Sequence, residues 1–581
     1  MKIAASRAAA MLRIWIRSSV VAHVGLAILV GAVAALCVTA MTAIAEAMHV
    51  AIYGIPFDQR LSAQARVTLP VALAALCGGG LILGLVDLRR QRRGARPTVD
   101  PVEANALHGG RLSLRDGLLV VAQTVLSNGV GASVGLEAGY AQIGAALASR
   151  VGSRLQLRRQ DLRTLLGCGA AGAMAAAFGA PLTGAFYAFE LVMGAYSLAN
   201  AAPVLAAAVA GRLVVHVLGG APYSIEAPPV PPFGVAEHIA LVGLGVIAAL
   251  LGVGAMRAAA VVERAFRAGP LPVWARPVLG GAVVAALATL TPQMLGAGHG
   301  ALALDSGRDL SAMLLISLIA LKLTACLVSL ASGFRGGLFF ASLYVGALLG
   351  KLYAIIMAAA FPGLHLSETA CLFAGMATLG SSIVGAPLTM AFLVLESSGD
   401  VVVAGPVLAG CIASQLVTRA IFGYSFSTWR LHLRGEDITG AHDVGWVRTI
   451  LVAGMMDAKL RTMPVDATLA AFRLAHPLGS SHYVALVDAQ NRYQGVVSTP
   501  EAHAVGEDSA PVAALARLKD RTLKPDQNIR EALDAFEAAE SDQLVVTDAE
   551  GKVLGALGEA YAARRYAAAV DRAAKGVLGG G

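Results

Sequence analysis

Apolar residues fill this chain in long runs, and the first two runs set its frame. From about Val20 to Ala45 nearly every position is apolar, behind a start that carries Lys2, Arg7, Arg13 and Arg17. The run is too long for the core of a cleaved signal and long enough to cross a bilayer as a helix. A second run, roughly Val67 to Val86, closes on Leu88-Arg89-Arg90-Gln91-Arg92-Arg93. Positive residues before the first span and after the second predict a helical hairpin with both ends, and the N-terminus, on the cytoplasmic side. Farther on, apolar stretches cover approximately 117–148, 163–193, 201–218, 237–258, 276–293, 311–333, 336–360, 369–395 and 401–422. Gly clusters and Pro interrupt many of them. Broken backbone survives at membrane depth only where protein buries it or it lines an aqueous cavity. The pattern therefore predicts the core of a channel or transporter, not a bundle of anchors.

Composition sharpens this. Of 581 residues 57% are hydrophobic and 14% charged, with a mean hydropathy of +0.68. Soluble domains carry about a quarter charged residues. The net charge of +8 is spread over a mostly apolar chain, so basic loops at a membrane face explain it better than nucleic-acid binding does. Charge is uneven, however. Residues 446–581 hold 15 basic and 17 acidic side chains, against 30 and 20 in the first 445. A membrane part, residues 1–445, is thus followed by a water-soluble tail of one ordinary domain's size. The six cysteines lie singly in apolar runs and read as small buried hydrophobes, with no disulfide framework or metal site.

The membrane part contains a repeat. Gly179-Ala180-Pro181-Leu182-Thr183 recurs as Gly385-Ala386-Pro387-Leu388-Thr389, and Glu190 and Glu396 follow, each 11 residues after the opening Gly. Upstream, Ser127-Asn128-Gly129, read as a turn, lies 52 residues before Gly179, and Ser332-Gly333 lies 53 before Gly385. Two halves with matched broken segments are the mark of repeat-built transport folds, with substrate held between the halves.

Charged chemistry inside the apolar runs is sparse. Its acidic members are chiefly Glu137, Glu190 and Glu396. No carboxylate cluster suggests a cation path. Gly-rich breaks precede apolar helices at Gly131-Ala132-Ser133-Val134-Gly135 and Gly333-Phe334-Arg335-Gly336-Gly337. A helix beginning at such a break presents free N–H groups and about half a positive charge, which attract an anion without burying a cation. Glu137 sits beside the first break, in Gly135-Leu136-Glu137-Ala138-Gly139. A carboxylate at that depth is functional by default. It is able to occupy the anion site as a tethered competitor, or to take a proton and swing away. Glu190 and Glu396 read instead as braces, bonded to backbone or polar partners.

These segments resemble the CLC family of chloride channels and proton-coupled chloride antiporters. Gly135-Leu136-Glu137-Ala138-Gly139 through Gly144 is similar to the family's Gly-Arg-Glu-Gly-Pro segment, which places Glu137 on the gating glutamate and on the proton path. Gly337-Leu338-Phe339-Phe340-Ala341 is similar to its anion-holding Gly-x-Phe-x-Pro segment, and Ala177 through Glu190 matches as well. The resemblance implies an all-α membrane fold of about 18 helices built as an inverted repeat, one pore per subunit, and a homodimer. It places the anion on backbone around Leu136, Glu137, Leu338 and Phe339. The family's Gly-Ser-Gly-Ile-Pro segment falls on Pro97-Thr98-Val99-Asp100-Pro101, so Thr98 stands for the pore serine and both glycines are gone. Its central tyrosine falls on Ser427, with Tyr424 a nearby candidate for the inner gate. Many antiporters carry a second acid directly after the position of Glu190. Leu191 stands there, which favours a channel, with proton-coupled antiport the alternative.

In the tail a helix–strand–strand–helix pattern occurs twice. The first copy predicts a helix near 467–475, strands Tyr483–Val487 and Gly495–Val497, and a helix from Pro500. The second predicts a helix near 529–539, strands Leu544–Thr547 and Val553–Ala556, and a helix after Gly558. Such alternation predicts a small α/β domain, which resembles a pair of CBS modules at 453–515 and 516–572. That resemblance implies a cytoplasmic tail, and adenine nucleotide as a candidate ligand, although no Gly-rich phosphate loop is present and only Glu559 follows the last strand as an acid. A CBS-bearing magnesium carrier would need intramembrane carboxylate clusters, which the sequence lacks, and a non-conducting nucleotide sensor is separated from a pore by ion flux in liposomes. No nucleophile–base pair or metal set points to an enzyme. The expected protein is an anion channel of a bacterial inner membrane.

Overall fold

The computed structural model describes residues 19–57, 59–220, 225, 234–432, 450–504 and 506–566. The basic start from Lys2 to Arg17, and residues 433–449 and 567–572 at the predicted tail boundaries, lie outside them. The chain forms two compact units, 1–443 and 444–581.

The first unit holds seventeen described helices. They are α1 (Val20–Tyr53), α2 (Leu69–Arg92), α3 (Pro101–Ala106), α4 (Leu114–Gly129), α5 (Glu137–Arg154), α6 (Arg159–Phe178), α7 (Pro181–Tyr187), α8 (Leu198–Val217), α9 (Val235–Ala268), α10 (Arg276–Leu290), α11 (His299–Ser306), α12 (Ala312–Ser332), α13 (Phe339–Ala360), α14 (Glu368–Val384), α15 (Pro387–Ser398), α16 (Val401–Ile421) and α17 (Phe426–His432). Seven are long and apolar enough to cross a membrane, and the protein is an integral membrane protein. Serines start several helices: the side chains of Ser19, Ser113, Ser197, Ser311 and Ser367 accept amides of the first turns of α1, α4, α8, α12 and α14, satisfying donors that a helix leaves orphaned.

The repeated Gly-Ala-Pro-Leu-Thr string has a local cause. Gly179 and Gly385 end α6 and α14 with left-handed φ of 65° and 87°. Pro181 and Pro387 then occupy the first positions of α7 and α15, where a missing N–H costs nothing. The string is thus a helix stop and restart, used once per half. Two predicted apolar stretches, 163–193 and 369–395, are each divided in this way. Ser127-Asn128-Gly129 is not a turn but the last turn of α4; the left-handed residue is Gly131, with φ of 88°. Small residues bring the flanking helices close: Gly144 of α5 packs on the backbone of Gly169 in α6, and Gly346 of α13 on Gly375 in α14. In lipid, where lateral association gains little from hydrophobicity, such close backbone approach supplies the packing energy.

The second unit contains two three-stranded sheets. β1 (Thr462–Pro464) pairs parallel with β2 (Tyr483–Val487), which pairs antiparallel with β3 (Tyr493–Ser498); α18 (Leu469–Ala475) and α19 (Thr499–Ala504) complete the copy. β4 (Thr522–Leu523), α20 (Ile529–Ala539), β5 (Gln543–Thr547) and β6 (Val553–Gly558) repeat it, with a helix over 559–566. A capping box of Asn528 and Glu531 opens α20. The copies join through backbone, Tyr493 N–H donating to Gly551 O at 2.9 Å and Val553 N–H to Asn491 O at 3.1 Å.

Candidate functional site

The two Gly-rich breaks meet. Gly135 and Gly337 form an isolated antiparallel bridge, each amide donating to the other's carbonyl at 3.0 and 3.1 Å. The bridge fixes the starts of α5 and α13 side by side. Each break is held by a serine of the opposite half: Ser329 Oγ accepts Ser133 N–H at 3.1 Å, and Ser127 Oγ accepts Arg335 N–H at 2.9 Å. The halves therefore brace each other where their helices are broken, and the free amides at the two helix starts converge.

Glu137 is the first residue of α5 and only 4% exposed. Its carboxylate folds back over Gly135 and lies next to Gly337. Neither oxygen has a hydrogen-bond partner of full geometry; the N–H groups of Glu137 and Phe340 are the donors that act on it. It lines a cavity of about 170 Å³ whose wall also includes Thr98, Leu338, Phe339 and Ser427. Five sequence-predicted residues are thus brought together from α5, α13, α17 and the loop before α3. Leu136 is not among the lining residues: its side chain packs in the main apolar core, and it enters the site only as the backbone residue before α5. Tyr424 is not on the wall either. Its ring stacks on His432 at 4.6 Å, with its hydroxyl 3.2 Å from His432 Nδ1, so as an inner gate it would have to leave an aromatic cluster with Trp429 and Phe422.

Glu190 and Glu396 lie outside the cavity wall and tie the halves crosswise. Glu396 accepts the amides of Leu182 and Thr183, both at 2.8 Å, and the Thr183 hydroxyl at 2.7 Å. Glu190 accepts Leu388 N–H at 3.0 Å, Thr389 N–H at 2.8 Å and the Thr389 hydroxyl at 2.6 Å. Each carboxylate caps the restarted helix of the other half.

Sequence reasoning missed several residues. Asp100, Gln142, Tyr187, Arg335 and Arg430 all line the cavity. Asp100 was visible between two prolines, but as a departure from a motif. Lys322, fully buried, donates to the carbonyls of Gln293, Met294 and Gly296 at 3.0, 3.4 and 2.8 Å. Gly296 N–H in turn bonds Gly131 O at 3.1 Å, so Lys322 anchors the loop behind the first break. A lone lysine in an apolar run is the signal that marks it.

Residues 78–419 match the family model of voltage gated chloride channels. The chain belongs to the voltage gated chloride channel family. A ClcB-like protein of Ralstonia nicotianae is 31% identical over 364 residues, 61% of this chain and 83% of that one. The voltage-gated ClC-type chloride channel ClcB of Escherichia coli O157:H7 is 28% identical over 371 residues, 63% of this chain and 87% of its own. Among solved structures, a slow cyanobacterial Cl⁻/H⁺ antiporter superposes with a TM-score of 0.62 at 21% identity, over 71% of this chain and 97% of that one. The mostly helical fold is therefore that of the family.

The seat of the Glu137 carboxylate gives an ordered prediction. A methyl group on Gly135 would overlap that carboxylate, and one on Gly337 would lie 3.3 Å from Oε2. The Glu137 side chain, being flexible, is what yields. Anion flux at neutral pH is expected to rise in the order wild type, Gly337→Ala, Gly135→Ala, Glu137→Ala, in purified protein reconstituted in liposomes. Flux in Gly135→Ala no greater than in wild type would show that the carboxylate does not block the path.

Proposed function

We propose that the first unit passes chloride-class anions across the membrane through the cavity at the starts of α5 and α13, with Glu137 as its gate. The observation that carries this is a buried carboxylate whose two oxygens lack full hydrogen bonds, lying where two helix N-termini converge. Amides aimed at a site without a fixed cation suit a halide: the dipoles attract it, and nothing holds it so tightly that it stays. Thr98, Leu338, Phe339 and Ser427 would line its path. Family membership and the chloride transport named for relatives support the same reading. We read the protein as a transport protein, not an enzyme, and as a homodimer in a bacterial inner membrane with both termini cytoplasmic. The tail we read as a CBS pair. The acid that follows its last strand is Glu559, whose N–H donates to Asp542 O at 2.8 Å, and adenine nucleotide is the ligand such a pair would take.

Two modes are open to such a gate. Leu191, on the cavity wall in place of an acid, supports a channel. Asp100 and Tyr187 on the same wall support proton-linked exchange. Reversal potential in liposomes under crossed chloride and pH gradients tests the reading. A reversal set by chloride alone indicates a channel, one displaced by the proton gradient indicates exchange, and no anion current at all overturns the proposal.

A further inference from the structure

We propose that Asp100, Tyr187 and Glu137 form a proton relay along the cavity wall. The proposal rests on the anion-pathway reading above and adds a second ion to it. Asp100 is the N-cap of α3, its Oδ1 accepting Glu103 N–H at 2.8 Å, and it lines the cavity. Tyr187 closes α7, lines the same cavity, and holds its ring 6.2 Å from that of Phe339, the first residue of α13. Both Asp100 and Glu137 act electrostatically on the Tyr187 hydroxyl, which puts one phenol within the field of two carboxylates. At the far end Glu137 is 4% exposed, with two oxygens that lack full hydrogen bonds. A cavity of about 170 Å³ has room for a short file of water, since one molecule needs roughly 10–15 Å³ on this measure.

The other charged groups are accounted for. Arg335 lines the wall from the break before α13 and acts on Asp87 of α2. Arg430 of α17 lines it with its guanidinium 5.9 Å from the Phe426 ring. Glu103, in the first turn of α3, sits 3.7 Å from His108. Arginine does not give up its proton in a protein.

The step balances without another reactant. Asp100 takes a proton from solvent at the α3 end. Its O–H proton then passes, directly or through water, to the Tyr187 oxygen, as the Tyr187 hydroxyl proton passes to Glu137. Tyr187 is a neutral phenol before and after. Asp100 returns to a carboxylate, and Glu137 becomes a neutral acid that loses its hold on the helix amides, which take an anion in its place.

The bland roles of these residues are a helix cap and an aromatic filler, and two substitutions preserve those roles. Asparagine caps a helix as well as aspartate does, and Tyr187→Phe keeps the ring. In liposomes carrying a chloride gradient, with proton uptake followed by pH electrode and chloride by a selective electrode, wild type is expected to take up protons. Asp100→Asn and Tyr187→Phe are each expected to lower the proton-to-chloride ratio by about a hundredfold, the low end of what positioned proton transfer contributes. Asp100→Glu restores it in part. A purely structural role leaves the ratio unchanged, and an unchanged ratio in both variants overturns the relay. Chloride movement without protons in wild type overturns the relay alone; no chloride movement overturns the anion-pathway reading with it.

Discussion

Glu137→Gln is expected to make anion flux insensitive to pH and to stop any proton movement, while Glu137→Ala opens the pathway and adds an anion site. The reason is a near balance of opposing terms. Removing a carboxylate from water costs several kcal/mol even after relaxation. What opposes this at Glu137 is the pair of helix starts, each worth at most about 2 kcal/mol in a partly buried setting. Hydrogen bonds of full geometry to a charged group would add about 1.5–3 kcal/mol each, but the Glu137 oxygens have none. The carboxylate is therefore weakly held, and a proton or an arriving anion is enough to release it. Protonation removes its charge, so wild-type flux should rise as pH falls, by up to about tenfold per pH unit on the basic side of the gate's midpoint. Glutamine is neutral at every pH and flattens the profile. Alanine vacates the seat, and because a tethered competitor acts at millimolar effective concentration or above, apparent anion affinity should rise by about tenfold. Flux profiles and calorimetric anion titration check the two halves. A pH response that survives in both variants would place the gate elsewhere.

How far this was legible follows from what each signal is made of. The strings that break the helices are chemical instructions read locally. Gly supplies a left-handed φ and Pro is favoured at a first helical position, so the repeat, the breaks and the residues beside them stood out in the sequence. Glu137, Leu338 and Phe339 were found because they adjoin those breaks. Four of the six described tail strands were legible for a similar reason, since short β-branched runs bounded by Gly and Asp carry their own period; β1 and β4, three and two residues long, are too short to show one. What the sequence hid was depth. Nothing in it says that Tyr187, last residue of a seven-residue helix, reaches the same cavity as Asp100, or that Tyr424, three residues from Ser427, turns into an aromatic cluster instead. Those outcomes depend on how the two halves cross, and that crossing is set by glycine contacts such as Gly281 of α10 on the backbone of Leu76 in α2, which resemble every other glycine in a Gly-rich chain. Lys322 was missed for a related reason: its partners are carbonyls, which have no side-chain signature.

Loss of either crosswise glutamate should destabilise the first unit without touching the proton-to-chloride ratio. Glu190 and Glu396 each accept two amides and a hydroxyl from the restarted helix of the opposite half. Those amides are the orphaned donors of α7 and α15, and in lipid no water stands ready to replace the carboxylate. Breaking such a buried, charge-assisted set by removing one partner costs about 3–5 kcal/mol, and partial exposure of both glutamates puts the expectation near the lower end. Glu190→Ala and Glu396→Ala should therefore lower the unfolding midpoint in detergent by similar amounts. The double variant should fall short of the sum. Both braces act on one contact, where α7 meets α15 and the rings of Phe186 and Phe392 stack at 4.4 Å, and neighbouring interactions of this kind are coupled. The same experiment separates a brace from a proton carrier. If Glu190→Ala left stability intact and lowered the proton-to-chloride ratio, Glu190 would belong to the transport path, and the resemblance of its two hydrogen-bond sets would be a by-product of the repeat. If both variants lost stability while the protein that still folds kept the wild-type ratio, the inverted repeat would have its mechanical meaning: each half holds open the break that the other needs.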